Sequence, residues 1–203
     1  MSGKYSSTHR RASIRHSIAQ SGPPESGPQI LALGRLAHEK GFDILLDTFS
    51  QILPSFPSAS LAILGKGPLL LALRNQSARL GLKDKVRFTG SVDDPAQYFA
   101  GASLFALSSR HEGIPNALLE AAAAGLPIVS TPASPGLVEL LQHAPGVWLA
   151  SDSSPSALVR ALRAPLAALG PGQQFSHPWL QPFLLQNAVA AYERLLDEVL
   201  LRQ

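Results

Sequence analysis

The chain of 203 residues has no cysteine, which excludes disulfides and thiolate metal ligands and fits a cytoplasmic location. No apolar run approaches the roughly 18 residues needed to cross a bilayer. A secretory signal is missing too, because no apolar stretch follows the basic, polar start. The sequence pI near 9.5 suggests nucleic acid until the charge is located. Lys4, Arg10, Arg11 and Arg15 oppose only Glu25 in residues 1 to 28, whereas the rest of the chain carries 13 basic and 13 acidic side chains. A neutral body with 6% aromatic residues offers no extended phosphate-tracking surface, so nucleic acid is not an expected partner. A dinucleotide oxidoreductase is disfavoured as well, since no G-x-G-x-x-G follows the first strand.

Residues 1 to 28 are rich in Ser, Gly, Pro and basic side chains and lack a sustained apolar period, which predicts a disordered basic leader or linker. Four positive charges without an apolar anchor bind an anionic membrane only marginally, so the expected membrane contact is at most peripheral. From Gln29 to the C-terminus, short apolar runs alternate with amphipathic ones. Strands are expected at 29–34, 61–65, 86–90, 103–109, 127–131 and 146–150, with helices between them. In one of these helices Phe42, Leu45, Leu46, Phe49, Ile52 and Leu53 recur at helical spacing. Ser154 is a candidate N-cap with Pro155 at the first helical position, and Pro165 is expected to kink or end that helix. The pattern predicts an α/β fold, a doubly wound Rossmann-like parallel sheet of about six strands with helices on both faces. Ligands of such sheets bind beyond the C-terminal ends of the strands.

The last helix, expected from about Asn187 or somewhat earlier to Leu201, is apolar around much of its surface. Leu185, Val189, Tyr192, Leu196 and Val199 make one stripe; Leu184, Ala188, Ala191 and Leu195 make an adjacent one. Either it is a deeply packed core helix or part of it faces another domain or subunit.

The stretch "SSRHEGIPNALLEAAAAG" concentrates the chemistry. Glu112 and Gly113 are expected in a turn, with Pro115 opening a helix whose Asn116 and Ala117 amides have no intrahelical acceptor. A helix N-terminus at a sheet's C-terminal edge suits an anion, most naturally a diphosphate. Glu120 shares a helix face with Asn116 and is placed to accept hydrogen bonds from vicinal hydroxyls such as those of a ribose. Glu112 on the turn could hydrogen-bond a sugar. Both glutamates also suit a helix start for purely structural reasons, since the dipole favours acids there. Arg35 and Lys40 follow the first strand in "GRLAHEKG", where Gly34 allows close backbone approach. Two cations and a helix N-terminus could grip a diphosphate without a metal. Gly65 and Gly67 in "GKGP" suggest a tight turn lining the same crevice, and residues after "VRFTG" are positioned near a base.

Taken in order, "GRLAHEKGFDILLDTF", "LAILGKGP", "VRFTG" and "SSRHEGIPNALLEAAAAGLPIVST" closely resemble the C-terminal, nucleotide-sugar donor-binding domain of glycosyltransferase family 4, one half of a GT-B fold. The resemblance runs from about Gln29 to the C-terminus, and its most specific element is Glu112 followed after seven residues by Glu120. It implies retaining transfer of a sugar from a UDP-, GDP- or ADP-sugar to an acceptor hydroxyl, with no cofactor and no bound metal. By the same resemblance, Arg35 and Lys40 stabilise the leaving diphosphate. Backbone near Gly113, Ile114, Asn116 and Ala117 holds donor sugar and phosphate, Glu112 contacts the sugar, and Glu120 takes the ribose hydroxyls.

Family members carry a second Rossmann-like domain that binds the acceptor, and 28 polar residues cannot form one. The expectation is therefore a donor half whose acceptor half is a separate chain or was lost by truncation. A nucleotide-sugar-binding module without transfer is the alternative, and a degenerate fragment is disfavoured because all four charged motif residues are present.

Overall fold

The computed structural model describes residues 27–169 and 173–200. The leader assigned to residues 1 to 28 therefore lies almost wholly outside the described residues, although Pro28 already accepts a 3.0 Å hydrogen bond from the Ser60 amide. Six strands form one sheet: β1 (Gln29–Leu33), β2 (Ser60–Leu64), β3 (Val86–Gly90), β4 (Leu104–Leu107), β5 (Ile128–Ser130) and β6 (Val147–Leu149). Their order is β3-β2-β1-β4-β5-β6, and every pairing is parallel. The chain winds outward from β1 to β3, then returns beside β1 and winds the other way, so the switch point lies between β1 and β4. The structure is thus the open doubly wound sheet that the sequence pattern predicts.

Helices α1 (Phe42–Ile52), α2 (Leu70–Arg79), α3 (Ala96–Gly101), α4 (Asn116–Ala123), α5 (Pro135–Leu141) and α6 (Pro155–Ala168) connect or follow the strands. Strand alternation divides the apolar residues between two cores. Ile30 and Ala32 of β1 face Leu45 and Phe49 of α1 and Leu162 of α6. On the opposite face, Leu31 meets Phe105, Leu118 of α4, Ile128 and Leu137 of α5. Burial on both faces makes the central strands continuously apolar, as parallel sheets require.

Several local features differ from the sequence-based expectation. Ser154 does cap α6, accepting from the Ala157 amide, with Pro155 following. Pro165, however, lies inside α6, which continues to Ala168. A proline in the last turn removes only one helical donor, and the buried Pro165 and Leu166 keep the turn against the core. Two 3-10 segments were not anticipated, one over His38–Lys40 and one over Pro178–Phe183.

The C-terminal helix α7 spans Leu185–Leu200, the earlier start that its apolar stripe from Leu185 allows. It is not a buried core helix: Leu185 is 81% exposed and Tyr192 70%, and Leu184, Val189 and Leu195 are exposed beside them. Residues before it bind the body more firmly. The Phe175 amide donates to Gly125 O at 2.8 Å, and the Phe175 ring meets Trp148 edge to face. His177 is buried with Nε2 2.9 Å from Leu126 O, while Trp179 Nε1 donates to its Nδ1. A ring that accepts at Nδ1 carries its proton on Nε2, which then donates to Leu126 O.

Candidate active site

The switch point separates the C-terminal ends of β1 and β4 and opens a crevice there. Two connections border it. After β1 the chain makes the His38–Lys40 turn and enters α1 through Gly41, which has φ +60°. After β4 it runs through Ser108–Pro115 into α4.

These connections are bolted together. Ser108 Oγ donates to Lys40 O at 3.0 Å, and the Arg110 amide donates to Glu39 O at 2.8 Å. The Arg110 guanidinium donates to His38 O at 2.9 Å and makes two parallel bonds to Asp43 at 2.7 and 2.6 Å. Hydrogen bonding from Arg110 holds the Asp43 carboxyl below the usual carboxylate range, and Asp43 in turn pushes the guanidinium up. Only glycine fits position 41, because a Cβ there would collide with the carbonyl oxygen of Ser108. The sequence-based reading missed Asp43, Ser108 and Arg110, whose roles depend on a contact spanning 67 residues.

The clamp sets Lys40 against Glu112. Lys40 Nζ donates to Glu112 Oε1 at 2.5 Å, with the two side chains 23% and 10% exposed. Ser109 Oγ donates to the same oxygen at 2.8 Å. Among the described residues nothing bonds to Oε2, so one oxygen of the carboxylate is anchored and the other is open. The Glu112 amide donates to Ala133 O, and Thr131 Oγ1 donates to Ser109 O at 2.6 Å, which ties the turn to the end of β5. Gly34 completes the floor, since a Cβ there would lie 3.6 Å from the aliphatic stem of Lys40.

Helix α4 starts one residue later than expected. Pro115 has extended ψ of 132° and is the N-cap, and Asn116 is the first helical residue. Proline offers no side-chain acceptor, so no side chain caps the helix and the Asn116 and Ala117 amides have no protein partner among the described residues. Gly113 has open space where a Cβ would stand, and Ile114 is exposed beside it. Gly125 ends the helix region with φ +74°.

The remaining candidates divide. Arg35 and Glu120 are exposed and form no ion pair among the described residues, Arg35 at the end of β1 and Glu120 one turn into α4. Gly65 and Gly67 have a structural explanation. A Cβ at Gly65 would strike Gly34 O, and one at Gly67 would strike the backbone of Leu36. The Leu36 amide donates to Lys66 O and the Leu69 amide to Leu36 O, so these glycines let the β1–α1 and β2–α2 connections lie against each other. No group of three or more His, Asp or Glu among the described residues is arranged to hold a metal ion.

An open parallel sheet with a charged, uncapped crevice at its switch point defines a Rossmann-like ligand-binding domain. Comparison with known proteins narrows the class. A family model for group 1 glycosyl transferases matches residues 27–167, and the chain belongs to that family. It is 34% identical over 133 residues to an uncharacterized glycosyltransferase of Haemophilus influenzae, covering 66% of this chain and 38% of that protein. With the mannosylfructose-phosphate synthase of Agrobacterium fabrum it shares 40% identity over 115 residues, covering 52% of this chain and 25% of the synthase. A solved structure of a GtfA/B complex superposes with a TM-score of 0.72 at 28% identity, over 87% of this chain and 37% of that one. HepE of Anabaena, solved in complex with UDP and glucose, gives a TM-score of 0.60 at 27% identity, over 66% of this chain and 37% of HepE. The fold is one half of a GT-B glycosyltransferase, and the chain spans well under half the length of the curated relatives it matches.

Proposed function

We propose that this chain is the donor-binding half of a retaining glycosyltransferase, holding a UDP-, GDP- or ADP-sugar for transfer to an acceptor hydroxyl. The observation that carries the reading is the Lys40–Glu112–Ser109 cluster beside the uncapped N-terminus of α4. Cation, open carboxylate oxygen and free amides match the three parts of a sugar diphosphate: charge on the phosphates, hydroxyls on the sugar, and oxygens needing donors.

In this mechanism the bond between the anomeric carbon and the diphosphate oxygen breaks with its electron pair leaving on the diphosphate. Negative charge grows there while the anomeric carbon becomes oxocarbenium-like. Arg35, Lys40 and the amides near Gly113, Ile114, Asn116 and Ala117 meet the growing charge, and their fixed positions lower the barrier without reorganisation. Glu112 uses Oε2 for a sugar hydroxyl, and its ion pair with Lys40 keeps both groups oriented before the donor arrives. Glu120, on the same face of α4 as Asn116, takes the ribose hydroxyls. These groups supply the positive charge from the protein itself, so the reaction is proposed to need no metal.

The acceptor side is proposed to come from a second domain, either in a separate chain or in a longer polypeptide. The exposed stripe of Leu185, Val189 and Tyr192 on α7 supports such a neighbour, and the likeness to a GtfA/B complex keeps a second chain among the expected partners. The absence of cysteine supports a cytoplasmic location; among the described residues no helix is long and apolar enough to cross a membrane.

Isothermal titration with UDP, GDP and ADP tests the reading. One nucleotide should bind saturably, unaffected by a chelator, and Arg35→Ala and Glu120→Ala should each weaken it about tenfold or more, the usual worth of a charge-assisted hydrogen bond. A folded chain that binds none of the three would overturn the proposal.

A further inference from the structure

A cavity lies away from the crevice, between the C-terminal half of α2 and the first residues of β3, one of the two edge strands of the sheet. Its volume is about 340 Å³, and Arg74, Ser77, Lys83, Val86, Arg87 and Phe88 line it. The donor crevice is at the C-terminal ends of β1 and β4, whereas this cavity sits beside the N-terminal end of β3, two strands outward.

Three features distinguish it from an ordinary solvated face. First, its charge has one sign. Between residues 70 and 88 the sequence holds Arg74, Arg79, Lys83, Lys85 and Arg87 against the single Asp84, although the chain beyond residue 28 is balanced overall. None of these cations forms an ion pair among the described residues. Second, the wall is amphipathic: cations and the Ser77 position stand beside Val86 and Phe88. Third, Leu71 of α2 is 71% exposed, and Leu71, Arg74 and Ala78 follow helical spacing on one face. Outside the C-terminal segment and Ile114 at the donor crevice, Leu71 is the one large hydrophobic residue with high exposure among the described residues.

Structural needs account for part of this. Arg79 stands in the last turn of α2, where the dipole favours a cation, and Arg87 protects an edge strand from pairing. Neither need explains Arg74 and Lys83, a cavity wall without a carboxylate, or Leu71 in water. A phosphate headgroup on an anionic bilayer fits all of them. Its phosphate sits among Arg74, Lys83 and Arg87, its glycerol region lies against Val86 and Phe88, and Leu71 enters the acyl boundary. We propose that the α2–β3 edge is a docking surface for anionic phospholipid, with this cavity taking one headgroup. The site is independent of the donor crevice and holds the body of the domain on the membrane without help from the basic leader.

Co-sedimentation of the full chain with phosphatidylcholine vesicles, with and without phosphatidylglycerol, tests the proposal. The parent chain should partition onto the phosphatidylglycerol vesicles and be released by high salt. Each surface cation contributes about fivefold to such binding, so Arg74→Gln/Lys83→Gln/Arg87→Gln together should lose roughly a hundredfold. Leu71→Ser should weaken binding by roughly tenfold. Both variants should keep the parent's unfolding midpoint and nucleotide titration, since these side chains are exposed or touch only the cavity. A variant with Gln at Lys4, Arg10, Arg11 and Arg15 should still bind. Three results would overturn the proposal: no partition of the parent, binding that disappears with the leader charges but survives the triple substitution, or saturation of the cavity by inorganic phosphate with no vesicle binding.

Discussion

Replacing Gly41 by alanine tests the clamp that sets Lys40 against Glu112. Gly41 has φ +60°, a conformation that costs an L-residue roughly 1–2 kcal/mol. An added methyl would also overlap Ser108 O, with Ser108 C at 3.0 Å and Ile44 Cδ1 at 3.4 Å. Because the first obstacle is backbone, no side-chain rotation relieves it, and the His38–Lys40 turn must separate from the end of β4. That separation removes the bonds from Ser108 Oγ to Lys40 O, from the Arg110 amide to Glu39 O and from the Arg110 side chain to His38 O. At about 1 kcal/mol each, their loss adds roughly 3 kcal/mol to the backbone strain. Gly81 supplies the control: its φ is +71°, yet a Cβ there would meet nothing within 4 Å. Gly81→Ala should therefore show the strain alone. Urea unfolding of the two variants at a common slope measures the difference. Gly41→Ala should lie about 3 kcal/mol below Gly81→Ala and bind nucleotide more weakly, whereas Gly81→Ala should bind like the parent. A difference under about 1 kcal/mol would refute the account of the clamp.

Asp43 and Arg110 form the charged part of that clamp, and they make it pH-dependent. Arg110 holds the Asp43 carboxyl below its ordinary value of 3.8, so the unfolded chain takes up the proton first. The stabilisation is present above about that value and lost as pH falls through the lowered one; Asp43→Asn should remove this acid-limb loss and cost about 1 kcal/mol at neutral pH, as the half-exposed pair is screened. His177 acts in the opposite chemical sense. Burial holds its pKa below 6.5, with the hydrogen bond to Leu126 O partly offsetting, so the unfolded ring protonates first and stability should decline as pH drops below that value. His177→Gln should flatten the decline, read from urea midpoints across that range. On α7, Tyr192→Ser should change unfolding free energy by no more than about 0.5 kcal/mol, because the ring is 70% exposed.

The fold was legible because burial on both sheet faces leaves short apolar runs at β1, β2, β4 and β5, and because α1 carries its core residues at helical spacing. The crevice was legible in part. Glu112, Asn116 and Glu120 lie in one stretch, and their placement follows from strand end, turn and helix start. Their fixing partners do not: Arg110 finds Asp43 and His38 only after β4 returns beside β1. The adjacent serines 108 and 109 were visible as a pair, but nothing local says that one hydroxyl reaches Lys40 O and the other Glu112. Gly65 and Gly67 were readable as a tight turn. The backbone approach to Gly34 and Leu36 that they permit was not, because it depends on how two connections meet. The breadth of the apolar surface on α7 was readable, and periodicity alone left open whether a core or another domain or subunit covers it; the structure decides for exposure.

Amide chemical-shift mapping during titration with UDP, GDP and ADP in turn, one of which should bind, tests the donor site most directly. The account predicts saturable shifts at Gly113, Asn116 and Ala117, with smaller ones at Gly34 and Arg35, and a weakened but similarly placed response in Glu120→Ala. Saturable shifts confined to other elements, or none at the N-terminus of α4 with any of the three nucleotides in a folded chain, would contradict it.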